Sequence, residues 1–217
     1  MAIKKSRFTK MGKKELLPLI SASAVRRNYK DFNELIEISK LKHIPFKKIY
    51  EALLQNYLFA GYPSAILSLK KLKEKYPYKK LGKAADMNLY HFRKIGVTNC
   101  QRVYGEKSGK LINNVKHFSP DLAEWLVLEG YGKVLGRKGL SLKERELCIV
   151  AVLTVLGFED QLYSHINGAF RAGASILEIG KVIENLSLIG KKKITDFGLR
   201  VLNRFEKAKG MRNLRTP

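Results

Sequence analysis

Two residues on either side of one apolar stretch have the types needed for acid–base chemistry. Glu146 lies near the start of the run that ends at Leu156, and His165 follows a few residues after Gly157. A helix ending at Gly157 and a second helix starting at Glu159 would place the two side chains at similar heights in an antiparallel hairpin. A carboxylate beside an imidazole orients the ring and selects its tautomer. The spacing therefore makes Glu146 and His165 a candidate catalytic pair.

A packing role for both residues is the alternative. His165 flanks the apolar stripe of Leu162, Ile166 and Ala169, where a histidine is more often a hydrogen-bonded packing residue. Glu146, near the start of a helix, also has the charge that complements the helix dipole. Spacing alone favours this packing interpretation over the catalytic one.

Helix start signals predict the elements that would position the pair. The stretches from Ser141 to Glu144 and from Ser175 to Glu178 have the capping-box pattern, in which a serine hydroxyl and a glutamate carboxylate bind free backbone amides. Ser119 and Pro120 start another helix, which Gly130 or Gly132 can close. Because strand signals are scarce, we predict an all-α fold.

An internal repeat relates two parts of this helical pattern. Residues 13–75 and 144–207 both run from a Glu-Leu pair through an apolar helix, an acidic turn and two further helices to a glycine and a fourth helix. Glu15 pairs with Glu146 in this alignment. The order of helix starts and glycines indicates a duplicated all-α unit.

The repeat divides the chain into three parts. We predict a degenerate N-terminal helical repeat at residues 13–75, a connector with one or two short helices at 76–118, and a C-terminal repeat at 119–207. The position of His165 falls on Glu34 in the first copy. A second equivalent site is therefore not expected.

Length and composition predict a soluble, cytoplasmic protein with no membrane partner. The chain has 217 residues, of which 45% are hydrophobic, and this is too apolar for a disordered protein. The longest apolar run, Leu147 to Leu156, is about half of the roughly 20 residues that span a bilayer. No apolar segment of a secretory signal follows the basic N-terminus.

Cysteine content and charge limit which cofactors and partners we expect. Cys100 and Cys148 are the only cysteines, and no C-x-x-C is present, so we expect no disulfide framework, metal or cofactor. The net charge of +23 suits a nucleic-acid partner or another polyanion. However, no helix-turn-helix, zinc finger or aromatic RNA-binding strand accompanies it. A nucleic-acid partner thus stays open without a supporting motif, and solubility also explains the charge.

The stretch "YGKVLGRKGLSLKERELCIVAVLTVLGFEDQLYSHINGAFRAGASILEIGKVIENLSLIG" resembles the carboxymuconolactone decarboxylase family, part of the alkyl hydroperoxidase D-like superfamily. In the first copy, "ALLQNYLFAGYPSAILSL" resembles the same family more weakly. The resemblance implies two alkyl hydroperoxidase D-like helical repeats joined by a partly helical connector. It also implies a homo-oligomer, for which we favour a trimer.

The resemblance extends to the site. In the thiol-peroxidase branch of the superfamily a glutamate precedes a C-x-x-C pair, and a histidine follows four residues after the second cysteine. These positions fall on Glu146, Phe158, Gln161 and His165, so the dithiol is absent here. The resemblance then implies a decarboxylase-like lyase acting on a small carboxylate or lactone, with His165 moving a proton and Glu146 orienting it. A peroxidase (peroxiredoxin-like) activity and a non-enzymatic basic module that binds RNA or another polyanion are the alternatives.

Overall fold

The computed structural model describes residues 6–84 and 86–211, and the regular elements of that part are all helices. The all-α prediction is therefore confirmed. Some of the basic residues at the two ends, such as Lys4 and Arg212, lie outside the described residues, as does part of the N-terminal segment tested for a secretory signal. The helices are α1 (Lys13–Val25), α2 (Tyr29–Leu41), α3 (Phe46–Leu54), α4 (Tyr57–Lys75), α5 (Leu89–Tyr104), α6 (Ser108–Phe118), α7 (Pro120–Trp125), α8 (Leu142–Leu156), α9 (Glu159–Arg171), α10 (Ile176–Asn185) and α11 (Lys192–Ala208).

Helix α8 lies at the centre of the fold. Its residues from Arg145 to Thr154 are buried without interruption, and α1, α9, α10 and α11 pack around it. The predicted capping box is present, since Ser141 and Glu144 exchange hydrogen bonds between side chain and backbone at 3.2 and 2.9 Å. Gly157 ends the helix in the left-handed conformation, with φ of 80°. A polar side chain on such an enclosed helix is forced into the core.

The turn after Gly157 produces the predicted helical hairpin. Helix α9 begins at Glu159, and its stripe of Leu162, Ile166 and Ala169 is fully buried. His165 lies beside that stripe and is itself buried. Burial of the apolar stripe therefore turns His165 inward.

The helix that begins at Pro120 does not end at Gly130 or Gly132, which corrects the sequence expectation. It continues from α7 as a π-helix, Leu126–Val134. A Cβ on Gly132, or on Gly96 of α5, would collide with a backbone carbonyl of the opposite helix. Gly132 is thus needed for the close approach of α5 and the π-helix, not as a helix stop.

The connector at residues 76–118 holds longer helices than the short ones expected. Helix α5 has 16 residues and α6 has 11. Glycine, asparagine and threonine lower the helix propensity of α5, but its packing against the π-helix stabilises it. The consequence for the site is that α5 ends at Tyr104, beside α9.

Two pairs of residues with a left-handed backbone conformation are consistent with the predicted duplication, which itself stays a prediction. Arg27 and Gly157 follow α1 and α8, and His43 and Gly173 follow α2 and α9; each pair is 130 positions apart. At this spacing the residue opposite His165 is not Glu34 but its buried neighbour, Leu35. The first copy therefore has an apolar side chain at this position.

The pairing of Glu15 with Glu146 needs correction. Glu15 is the third residue of α1, and its carboxylate accepts a hydrogen bond from the backbone of Gly12. The same capping position in α8 belongs to Glu144. Glu146 therefore takes no part in the cap and lies two residues further along α8, where the 130-residue spacing places the buried Leu16 opposite it.

None of the helices in the described part of the chain is both long and apolar enough to cross a membrane.

Candidate acid–base site

The structure brings Glu146 and His165 into direct contact. Nδ1 of His165 lies 2.8 Å from Oε2 of Glu146, across the hairpin of α8 and α9. Glu146 has no exposed surface, and His165 is 5% exposed. A hydrogen bond from Nδ1–H to the carboxylate leaves Nε2 as the second functional atom of the ring.

Gly168 makes room for the carboxylate. It lies one turn after His165 on α9, and a Cβ at this position would stand 2.6 Å from Oε2 of Glu146. Only a glycine allows α9 to approach the buried carboxylate this closely. A glycine inside a helix is a sequence signal for such a role. It lowers the stability of the helix, and its presence there is often explained by close packing against a neighbouring element.

Two aromatic rings cover the imidazole. The ring of Phe59 meets His165 edge to face at a centroid distance of 5.6 Å, and the ring of Tyr104 lies at 6.5 Å. Phe59 comes from α4 in the N-terminal part of the chain, and Tyr104 from the end of α5. The site is therefore built by elements from all three predicted parts.

A pair of tyrosines extends the site away from the histidine. Tyr131, in the π-helix, donates a hydrogen bond of 2.7 Å to the hydroxyl oxygen of Tyr104. Burial raises the pKa of both hydroxyls, Tyr131 above all, so both are neutral phenols. Because Tyr131 supplies the proton of this bond, Tyr104 retains its own O–H for another acceptor.

Two polar atoms of the site have no partner among the described residues. Oε1 of Glu146 is buried without a hydrogen bond, and the side chain of His165 is hydrogen-bonded through Nδ1, which leaves Nε2 as the second unpartnered atom. A buried carboxylate oxygen without a partner costs free energy, and a ligand or water that donates a hydrogen bond would recover it. Together with the Tyr104 hydroxyl, these atoms can exchange protons with a bound molecule.

The dithiol positions and the cysteines do not form a redox site. Phe158 occupies the position before α9, where its side chain makes no capping hydrogen bond, and it is half exposed. Gln161 is exposed and lies one turn before His165. Cys100 and Cys148 are buried and unpaired, and burial raises the pKa of each thiol to about 12. Since the thiolate is the reactive form, neither cysteine is suited to peroxide reduction.

Among the described residues, no group of three or more His, Cys, Asp or Glu side chains is arranged so that it could hold a metal ion.

The sequence identified the Glu146 and His165 pair but missed Phe59, Tyr104 and Tyr131. Tyr131 opens the stretch that resembles the family, yet no spacing relates it to His165. Phe59 is more than 100 positions away from the histidine. Only packing brings these aromatic residues together.

Comparisons with known proteins agree with this description. Residues 120–196 match the model of the carboxymuconolactone decarboxylase family. The "4-carboxymuconolactone decarboxylase" of Acinetobacter baylyi is 33% identical over 87 residues, which cover 40% of this chain and 65% of that protein. "Peroxisomal protein 2" of Schizosaccharomyces pombe is 29% identical over 134 residues, which cover 60% of this chain and 62% of that protein.

The chain spans less than two thirds of the length of each of these two relatives. The matched segment contains α8, α9 and α10, and with them both members of the buried pair. Residues 120–196 are therefore the part of the chain that is similar to the carboxymuconolactone decarboxylase family.

Proposed function

We propose that this protein is a decarboxylase-like lyase that acts on a small carboxylate or lactone, with His165 as the group that moves the proton. The observation that carries the proposal is the 2.8 Å contact between Nδ1 of His165 and the fully buried Glu146. Glu146 accepts a hydrogen bond from Nδ1–H of His165, which leaves Nε2 to act on the substrate. The substrate named for the Acinetobacter baylyi relative, 4-carboxymuconolactone, is the first compound to test.

The proton transfer completes the loss of carbon dioxide. When the bond between the carboxylate carbon and the ring breaks, its electron pair remains on the substrate as an enolate. His165, protonated on both ring nitrogens, then donates its Nε2 proton to carbon and becomes the neutral imidazole, and a proton taken up from water restores the imidazolium. The carboxylate of Glu146, in contact with Nδ1, interacts favourably with the positive charge of the imidazolium.

Tyr104 is suited to stabilise the enolate oxygen. Its hydroxyl accepts from Tyr131 and keeps its own proton, and its ring lies beside the imidazole. A neutral, preorganised O–H donor in a buried site stabilises a developing oxyanion. Tyr131 acts through Tyr104 as a positioning residue.

An assembly of identical subunits, with a trimer favoured, is part of the proposal. Tyr62 and Ile66 are 61% and 60% exposed and lie about one turn apart on α4, and adjacent exposed apolar side chains are typical of an interaction surface. Phe59, which covers His165, lies on the same helix. A second subunit packed on α4 would therefore lie close to the candidate site.

Substitution of both members of the pair tests the proposal. We expect wild-type protein to release carbon dioxide from 4-carboxymuconolactone or a related lactone acid, and His165→Gln and Glu146→Gln to lose this activity. His117→Gln, at an exposed histidine of α6, is the matched control and should retain full activity. Equal activity of His165→Gln and wild type would contradict the proposal.

A further inference from the structure

A groove with a volume of about 690 Å³ opens at a second place in the molecule. Neither Glu146 nor His165 lines it. It lies where the N-terminal ends of α1, α3, α8 and α10 converge. Its volume is within the range of about 300 to 1,000 Å³ that small-molecule sites occupy. The floor consists of the buried apolar residues Leu17, Pro18, Ile44 and Leu147.

Two lysines of the groove are already neutralised. Lys48 forms an ion pair with Glu144, and Lys143 forms one with Glu178 at 2.6 Å. Both glutamates also cap their own helices, so they are not free to bind a cation from solution. The acidic residues of the groove are thus fully engaged.

Lys13 and Lys14 differ from these two lysines in that they form no ion pair within the part of the chain that the structure describes. They are the first two residues of α1, and they line the groove. The charge of Lys14 nevertheless contributes to the lowered pKa of Glu178. With these two lysines, the groove carries more positive than negative charge.

The position of the lysines on their helices is unfavourable without a ligand. All four lie in the first turn of a helix, where the helix dipole already places positive charge and where anions are preferred. An anion bound among them would interact with the ammonium groups and with the N-terminal ends of the helices at once. The charge arrangement and the apolar floor therefore fit the same kind of ligand.

We propose that this groove binds an organic anion that joins one carboxylate or phosphate group to an apolar body. The anionic group lies at Lys13 and Lys14, and the apolar body covers Leu17 and Leu147. The site is separate from the Glu146–His165 pair, so the inference does not depend on the proposed decarboxylase activity.

Calorimetric titration of the full chain tests this inference. The probes are octanoate and octyl phosphate, compared with octanol, which lacks the charge, and inorganic phosphate, which lacks the apolar body. We expect at least one of the first two to bind about tenfold or more tightly than either comparison compound. The two anionic probes also distinguish a carboxylate from a phosphate ligand. Octanol binding as tightly as the anions, or no binding of either anion, would overturn the proposal.

Two double variants test whether the anion binds in the groove. Lys13→Gln combined with Lys14→Gln should weaken binding of the anion about tenfold or more, and added salt should weaken it in the wild type. Lys191→Gln combined with Lys192→Gln changes two exposed lysines at the start of α11, outside the groove, and should leave binding unchanged. Equal loss in both double variants would show that the affinity comes from overall charge and would overturn the site.

A third variant separates this site from the candidate acid–base site, which is also expected to accept a carboxylate. His165→Gln should bind the anion as the wild type does, whether or not it retains lactone turnover. The inference would be overturned if His165→Gln lost anion binding while Lys13→Gln combined with Lys14→Gln retained it. The anion would then bind at the acid–base site and not in the groove.

Discussion

Nδ1 of His165 lies 2.8 Å from Oε2 of Glu146, and the carboxylate is completely buried. This relationship connects the chemistry of the site with the stability of the fold. A charge inside the core depends on its partner far more than a charge at the surface does. Changes at either residue therefore have to be judged by both activity and free energy of unfolding.

The first prediction concerns that free energy. If His165 lay outside the core, His165→Ala would change the free energy of unfolding by no more than about 1 kcal/mol. Burial changes this expectation, because the alanine leaves Glu146 without its partner, and we predict a loss of about 3 to 5 kcal/mol. Urea denaturation measures it.

A double variant provides the control for this loss. Glu146→Leu combined with His165→Leu introduces the residue type that the first copy has at Leu16 and Leu35. We expect it to be more stable than His165→Ala, because no buried charge remains. If the double variant is the less stable of the two, the cost of an unpaired Glu146 is not the cause.

Gly168→Ala should lower stability by about 1 to 3 kcal/mol because its Cβ would overlap with Glu146 and with Val103. Alanine normally stabilises a helix relative to glycine by about 0.5 to 1 kcal/mol. Gly109→Ala, in α6, shows this normal effect because no atom lies within 4 Å of its Cβ. Thermal unfolding of the two variants should give shifts of opposite sign.

Tyr104→Phe should lower turnover of the lactone substrate about 100-fold, the usual loss when one donor to an oxyanion is removed. Tyr131→Phe should have a smaller effect, since it removes only the bond that holds the Tyr104 hydroxyl. Steady-state kcat and KM distinguish the two roles. A change in KM alone for Tyr104→Phe would show that its hydroxyl does not act in the transition state.

The thiols of Cys100 and Cys148 should not react with a disulfide reagent in the folded protein between pH 7 and 9. Burial raises the pKa of each to about 12, so thiolate is scarce in this range. Both should react once urea unfolds the chain. Rapid labelling of the folded protein would contradict the burial of these residues.

Acid should weaken a buried ion cluster centred on Glu51. Burial raises the pKa of Glu51, but hydrogen bonds from Arg137 and Lys47 and a third from Arg145 outweigh it, and the pKa is lowered overall. A lowered pKa means that the stabilisation is complete above the ordinary value of 4.5 and is lost as the pH falls further.

Glu51→Gln measures the contribution of this cluster. The variant should be less stable than the wild type at pH 7, and its stability should fall less steeply between pH 5 and about pH 3. Urea denaturation at a series of pH values compares the two slopes. Parallel slopes would show that other carboxylates cause the acid sensitivity.

The sequence alone determined the helices that carry the pair. Ser141 and Glu144 cap α8 as predicted, Gly157 ends it, and α9 starts at Glu159. These signals are local, because a cap and a helix stop depend on residues within one turn. The contact between Glu146 and His165 followed from the heights of two adjacent helices, and so it too was within reach of the sequence.

Tertiary structure decided the rest. The π-helix passes through Gly130 and Gly132 because close packing against α5 outweighs their tendency to end a helix. Tyr104 reaches His165 only because of that packing. The lysine groove, likewise, depends on four helix starts that are far apart in the sequence. Local patterns specify where helices such as α8 and α9 begin and end, whereas side chains more than 100 residues apart meet only through burial of the faces between them.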